Sequence, residues 1–295
     1  GRLHSSGFEV LKVFPDSIAH QSGVRPGDVI RAIGGMDVRN ERRALERVGE
    51  ARAAHGFDVP AVRRASADLP SQRGFDEAWP VVRDDVRSYG RYEHFNPPFF
   101  HNGYYVGRED GWQVERITDK AIDFIQSNQS NPFFLYIPYA SPHEPWLCPR
   151  ELQEKYIKKG IGEQYAMFLG MMEQLDTQVG RVIQSLEDLG LADDTIVLFF
   201  GDNGPTPTTR ILQQDAEGFF SLTTEYYTLN EEEWIARNPS GFRSKKATGW
   251  ENALRNRLSI YNPAMYEPKI IDKMTLVMDI YPTLVGAAGL KMPEE

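Results

Sequence analysis

Apolar residues recur at helical spacing most clearly between Gln164 and Leu189, where Tyr165, Phe168, Leu169, Met172, Leu175, Val179, Val182, Ile183 and Leu186 share one face. The longest helix of the chain is expected there, ended by Gly190, since glycine accepts the left-handed conformation that closes many helices. A shorter helical pattern runs through Ile117, Ala121, Ile122, Phe124 and Ile125, with Thr118 read as its N-cap and its end expected before Asn131-Pro132. Two runs differ in kind: Phe133–Ile137 and Thr195–Phe200 are short and continuously apolar, as strands buried on both faces of a parallel sheet are. Each follows a helix. That alternation predicts an α/β fold with a doubly wound, mostly parallel sheet.

The first part of the chain has another texture. Phe8–Phe14 alternates apolar with polar and predicts a half-buried strand closed by Pro15-Asp16. A short helix over Ser17–Ser22, a turn at Gly23–Asp28, a strand over Val29–Ile33 ended by Gly34-Gly35, and a helix carrying Ala44, Leu45, Val48 and Ala51 follow. Aromatic residues crowd in from Gly74 onward, and Ala65–Arg73 has the polar, turn-forming composition of a linker. The division expected is therefore a small module at 1–66, a linker at 67–74 and a larger α/β domain at 75–295. The first module resembles a PDZ domain of the kind attached to bacterial proteases, over residues 7–64, through Ser17-Ile18-Ala19 and Gly23-Val24-Arg25-Pro26-Gly27-Asp28-Val29-Ile30. The resemblance implies capture of a peptide C-terminus as an added strand. In that family the loop that holds the carboxylate lies upstream of the strand matched by Gly7–Val13. Only Gly1–Ser6 stands there, so an incomplete module with little peptide capture is expected.

Composition narrows the classes of function. With 41% hydrophobic residues and 25% charged ones, the 295-residue chain has material for a sizeable core. A net charge of −9 excludes wholesale binding to a nucleic-acid backbone, which requires clustered Lys and Arg. An anionic substrate would need local cations. The single cysteine, Cys148, leaves no intrachain disulfide framework. No apolar run is long enough to span a bilayer, and Gly1–Ser6 has no signal-peptide pattern, so the compartment stays open.

In open α/β sheets, ligands bind beyond the carboxyl ends of the strands. The two predicted strands end in Ser141-Pro142-His143-Glu144-Pro145-Trp146 and Gly201-Asp202-Asn203-Gly204-Pro205. Asp202 and Asn203 offer hard oxygen donors, which suit Ca²⁺ or, alternatively, Mg²⁺. An isolated Asp-Asn-Gly is more often a turn, and an isolated histidine is more often structural than catalytic; the order of many motifs carries the reading here.

Residues 75–293 resemble the sulfatases of the alkaline phosphatase superfamily. The resemblance rests on Gly74-Phe75-Asp76; Asn131-Pro132-Phe133-Phe134-Leu135-Tyr136 leading to Pro142-His143-Glu144-Pro145; Leu175-Asp176 with Val179-Gly180-Arg181; Leu186 to Gly190; Thr195-Ile196-Val197 into Asp202-Asn203-Gly204; and Asp279-Ile280-Tyr281-Pro282-Thr283-Leu284. It implies hydrolysis of sulfate monoesters. Asp202 and Asn203 would ligate a divalent cation, usually Ca²⁺, and His143 and Lys246 would act on the sulfate as catalytic and substrate-binding groups. Arg243, with Glu251 and Arg210, would lie near the anion. The substrate would be a sulfate-ester small molecule or a sulfated glycan, in a periplasmic or secreted setting. Residues 206–240 form an insertion beside this site.

The departures from the family are specific. Asn252-Ala253 stands where Gly-Gly normally follows the Glu. The early Asp-Asp pair, the Lys-x-His element and the Cys-x-Pro-x-Arg or Ser-x-Pro-x-Arg motif that yields the formylglycine nucleophile are absent, as is the family's C-terminal subdomain. Cys148-Pro149-Arg150 has no spacer before its proline and is not read as that motif. Little or no turnover by the chain alone is expected. The competing readings are a non-catalytic sulfatase-like binding protein and a phosphoester or phosphonate hydrolase of the same superfamily; Asn203, where those relatives commonly place a histidine, favours the sulfatase.

Overall fold

The computed structural model describes residues 70, 74–81, 94–102, 104–214 and 220–293, together with five short strands closer to the N-terminus. Those strands are β1 (Arg2–His4), β2 (Gly7–Glu9), β3 (Val29–Ile30), β4 (Ala32–Ile33) and β5 (Met36–Asp37). β1, β2 and β3 form an antiparallel sheet in which Phe8 pairs with Ile30, and β4 pairs with β5. The helices expected at Ser17–Ser22 and around Ala44–Ala51, and most of the 67–74 linker, lie outside the described residues.

Beyond them come β6 (Pro98–His101) and β7 (Tyr104–Arg108), an antiparallel hairpin, and then three helices: α1 (Gln113–Asn128), α2 (Arg150–Ile157) and α3 (Glu163–Asp188). Both α1 and α2 pack on α3. α1 starts five residues before Thr118, so Thr118 is not its N-cap. The side chain is fully buried inside the helix, where its hydroxyl reaches back to the Val114 carbonyl at 2.7 Å and meets the Tyr139 hydroxyl at 2.8 Å. A threonine can cap a helix or bond its own preceding turn, and burial against Tyr139 selects the second.

α3 spans the range its pattern predicts. Gly190, at φ +69°, closes it: the Gly190 N–H donates to the Glu187 carbonyl at 3.0 Å and the Leu191 N–H to the Leu186 carbonyl at 2.8 Å, the two bonds of a Schellman motif. The buried stripe includes Phe168, Leu175, Val182 and Leu186 as expected, but Met171 is buried where Met172 was predicted, and Gln174 and Gln178 are buried beside it. Two clusters form along this helix. At its N-terminal half Tyr165, Phe168 and Met171 pack with Trp146, Cys148 and Leu229. At its C-terminal half Val182 and Leu186 pack with Ile125 and Ala192, covered by Phe133, Leu135, Ile137 and Val197. Each fully buried large apolar side chain contributes about 1.5–3 kcal/mol, so these clusters hold the helices together.

The remaining elements are β8 (Val197–Phe200), β9 (Thr208–Gln214), β10 (Phe220–Thr228), α4 (Glu231–Arg237), α5 (Glu251–Leu254), β11 (Leu258–Tyr261) and α6 (Ile280–Ala287). β9 and β10 make a long hairpin within residues 206–240, and β8 pairs with β11. Here the expectation of a mostly parallel sheet is corrected: every strand pair among the described residues is antiparallel. Phe133–Ile137 is assigned to no strand, and burial alternates along it. Phe133, Leu135 and Ile137 cover the helical cluster, whereas Phe134 and Tyr136 are 59% and 61% exposed. A run apolar on both sides can be read from sequence, but the partner that pairs with it cannot. No helix among the described residues is long and apolar enough to cross a membrane.

Candidate functional site

The loops after the two apolar runs meet in space because one segment, 201–210, is hydrogen-bonded to both neighbouring loops. On one side the Arg210 N–H donates to the Glu144 carboxylate at 3.0 Å, and the Trp146 N–H donates to the Thr209 hydroxyl at 3.2 Å. On the other side the Lys246 N–H donates to the Pro205 carbonyl at 2.8 Å, and the Gly204 N–H to the Ala253 carbonyl at 2.9 Å. The sequence places His143, Asp202 and Lys246 far apart; these four bonds join the three loops that carry them.

Gly204 shows how close the approach is. A Cβ added there would sit 1.6 Å from the Asn252 carbonyl oxygen, so only glycine lets the two backbones meet. Asn252 is buried, and its amide nitrogen donates to the Ser244 carbonyl at 2.7 Å. That bond stabilises a loop with two non-glycine residues in the left-handed region, Ser244 at φ 74° and Ala247 at φ 66°. The Asn-Ala that replaces Gly-Gly therefore supports the loop instead of disrupting it. In the amide orientation that pairs donors with acceptors, Asn256 bonds the Asn203 backbone at both its carbonyl and its N–H, each at 3.1 Å.

His143 is half-buried. Its Nδ1 donates to the Glu144 carbonyl at 2.7 Å, which fixes the ring's orientation. Behind it lies His94, a residue that sequence reasoning did not single out. The His94 Nε2 donates to the His143 carbonyl at 3.0 Å, and its Nδ1 is buried with no hydrogen-bond partner among the described residues. Burial, joined by the neighbouring His143 charge and only partly offset by this hydrogen bond, pushes the His94 pKa down to about 4. His94 is thus a neutral donor that anchors the His143 loop. Its signal in the sequence, one histidine among aromatics, has no spacing to mark it.

The other candidates divide. Asp202 is exposed and Asn203 half-buried, adjacent on a fixed backbone. Arg243 lies over the Trp250 ring at 3.7 Å. Glu251 pairs with Arg255 at 3.2 Å, and the Arg210 Nε donates to the Tyr226 hydroxyl at 2.7 Å. Cys148 is buried against Gly170, and burial pushes its thiol up to about 12, so almost none is thiolate at neutral pH. That agrees with excluding it as the nucleophile.

Ca²⁺ takes roughly six to eight oxygen ligands, of which Asp202 and Asn203 would supply two. Among the described residues, no three His, Cys, Asp or Glu side chains cluster as a metal cage would need. The donor set fits a hard cation but does not complete its shell.

Backbone and side-chain hydrogen bonds thus join the loops that carry His143, Asp202, Asn203 and Lys246. Comparison with known proteins gives the family: the sulfatase family model matches residues 43–290, and the chain belongs to the sulfatase family. The match begins at residue 43, ahead of the linker expected at 67–74. Among curated relatives, a sulfatase of Formosa agariphila is 30% identical over 195 residues, covering 61% of this chain and 30% of that protein. An N-acetylgalactosamine-6-O-sulfatase of Bacteroides thetaiotaomicron is 28% identical over 195 residues, 64% of this chain and 34% of that protein. Human steryl-sulfatase is 26% identical, covering 62% of this chain and 27% of that enzyme. The chain thus spans about a third or less of the length of these relatives. The fold is shared with solved structures, including Ps i-CgsB, with a TM-score of 0.58 and 20% identity over 76% of this chain and 48% of that one. A Bacteroides thetaiotaomicron sulfatase from a glycosaminoglycan-metabolism locus gives 0.56 and 21% over 75% and 52%.

Proposed function

We propose that residues 75–293 form the cation- and sulfate-binding side of a sulfate-monoester hydrolase acting on a sulfated sugar. The observation that supports this reading is the stitching of the 141–146 and 243–253 loops to the 201–210 segment, since these loops carry His143, Asp202, Asn203 and Lys246. Hydrolysis of a sulfate monoester develops negative charge on the ester oxygen, and pre-placed cationic and hydrogen-bonding groups stabilise it. Lys246 supplies an ammonium and His143 an imidazole steadied by the His94 and Glu144 contacts. Asp202 and Asn203 would hold Ca²⁺, or in the alternative Mg²⁺, which when bound would neutralise sulfate oxygens. Arg243, stacked on Trp250, would lend long-range positive charge.

The sugar assignment draws on relatives: the Bacteroides enzyme is named for an N-acetylgalactosamine 6-O-sulfate, and one solved neighbour is described in complex with a neocarrahexaose. No Cys-x-Pro-x-Arg or Ser-x-Pro-x-Arg motif occurs in the 295 residues, so this chain by itself binds the ester and turns it over poorly. We also propose a PDZ-like origin for the N-terminal module, a reading that a structure of residues 1–66 with and without a C-terminal peptide would test.

The deciding experiment is calorimetric titration of the chain with Ca²⁺, beside Asp202→Ala, with a chromogenic aryl sulfate assayed in parallel. Ca²⁺ binding that Asp202→Ala removes, with little turnover, is the expected result. No binding at millimolar Ca²⁺ would overturn the metal assignment, and turnover would show that another group serves as nucleophile.

A further inference from the structure

Residues 206–240 build a groove that the sulfate-side chemistry leaves unused. It is a shallow groove, open to solvent along most of its length, with a volume of about 540 Å³. Its walls are Pro207, Leu229 and Trp234, and its polar groups include Glu231, Ser244 and Lys245. Backbone bonds tie the walls of the groove to the loops of the candidate site. Lys245 precedes Lys246, the Lys246 N–H is bonded to the Pro205 carbonyl, and the Leu229 N–H donates to the Pro207 carbonyl at 2.8 Å.

The wall formed by α4 is fixed in advance. Asn230 and Glu233 close a capping box, with the Glu233 N–H donating to the Asn230 side chain at 2.9 Å and the Asn230 N–H to the Glu233 carboxylate at 3.0 Å. The Tyr227 hydroxyl, on β10, donates to the same carboxylate at 2.7 Å and locks the helix to the hairpin. Trp234 packs against the cluster around Phe168 and also lines the groove.

We propose that this groove is a subsite for an uncharged hexose ring adjoining the sulfated sugar, with Trp234 and Lys245 as its specificity-determining residues; the proposal rests on the sulfate-ester reading above. A pyranose ring has an apolar face of C–H groups and a rim of hydroxyls. The indole, with Leu229 and Pro207, meets the apolar face, while the Glu231 carboxylate accepts from hydroxyls and the Lys245 ammonium donates to them. One negative and one positive group flank the groove, so its charge is balanced. This favours a neutral ring over a second sulfate, which Glu231 would repel.

The test uses the full chain in millimolar Ca²⁺, titrated with glucose 6-sulfate and N-acetylgalactosamine 6-sulfate, and with disaccharides in which each is joined to one unsulfated hexose. Calorimetry gives affinities and the Trp234 indole N–H is followed by NMR. At least one disaccharide is expected to bind about tenfold tighter than its own monosaccharide, and Trp234→Ala and Lys245→Ala each to cut that gain below about threefold while leaving monosaccharide affinity unchanged. Lys245 is exposed, so its variant tests the subsite even if Trp234→Ala loosens the fold. Monosaccharide binding with no disaccharide gain, or a gain that survives both substitutions, overturns the subsite alone. Absence of binding by every sulfated sugar overturns the sulfate-ester reading and the subsite with it.

Discussion

The two ends of α3 support different kinds of surface. Its N-terminal half is packed beneath several elements: Trp146 meets Phe168 at 5.1 Å, Tyr165 stacks on Phe168 at 5.8 Å, and Arg237 lies 3.8 Å over the Phe168 ring. Its C-terminal half carries Phe133–Ile137 and Val197, whose neighbours Phe134, Tyr136, Phe199 and Phe200 face outward and are exposed. Sequence alone makes the two halves look alike, since both are rich in apolar residues at helical spacing. The difference is that loops and α4 close over the first, whereas only one side of each extended run is covered in the second. An apolar residue stabilises a fold by the surface it removes from water, so equal hydrophobicity gives unequal contributions.

The largest effect should come from the closed half. Phe168→Ala would leave a cavity beneath Trp146 and Arg237 and is expected to destabilise by about 4 kcal/mol in denaturant unfolding. A loss under about 1 kcal/mol would mean the cluster is loosely packed and the contrast is false. Gly204→Ala follows. With a Cβ placed 1.6 Å from the Asn252 oxygen the two loops must part, at an expected cost of about 3 kcal/mol, together with loss of the Asp202-dependent Ca²⁺ response.

His94 gives a pH test. Its folded-state pKa of about 4 lies below the ordinary histidine value of 6.5, so between these values the unfolded chain binds a proton that the folded chain does not. Stability from this group is full above pH 6.5 and is lost as pH falls toward 4, by about 3 kcal/mol in total. His94→Gln should flatten that part of the stability-pH curve, and an unchanged slope would place the titrating group elsewhere. Smallest is the open half: Phe134→Ser should change stability by less than about 0.5 kcal/mol, measured by the same unfolding curves. A larger loss would show that this face is covered in the protein in solution.

Much of the helical layer was legible because it depends on local periodicity. The span of α3 and its closure at Gly190 follow from the spacing of its apolar residues and one glycine able to adopt positive φ. Thr118 and Met172 were misplaced because a hydroxyl has two local partners to choose from, and because neighbouring methionines on a wide stripe are separated only by the packing surface opposite. The loops could be named from sequence as the places where chemistry would sit, since apolar runs end in polar turns there, and the family follows from the order of their motifs. The pairing partners of the strands could not, because β8 lies against β11 through hydrogen bonds between residues about 60 positions apart, and nothing in a six-residue apolar run specifies them. The same holds for the site. Residue types suggested which groups could bind a cation or an anion, but only tertiary contacts, the bonds from the 201–210 segment to the 141–146 and 243–253 loops and the meeting of Gly204 with Asn252, joined the loops that carry those groups, because backbone bonds across large sequence separations leave no periodic trace in the chain.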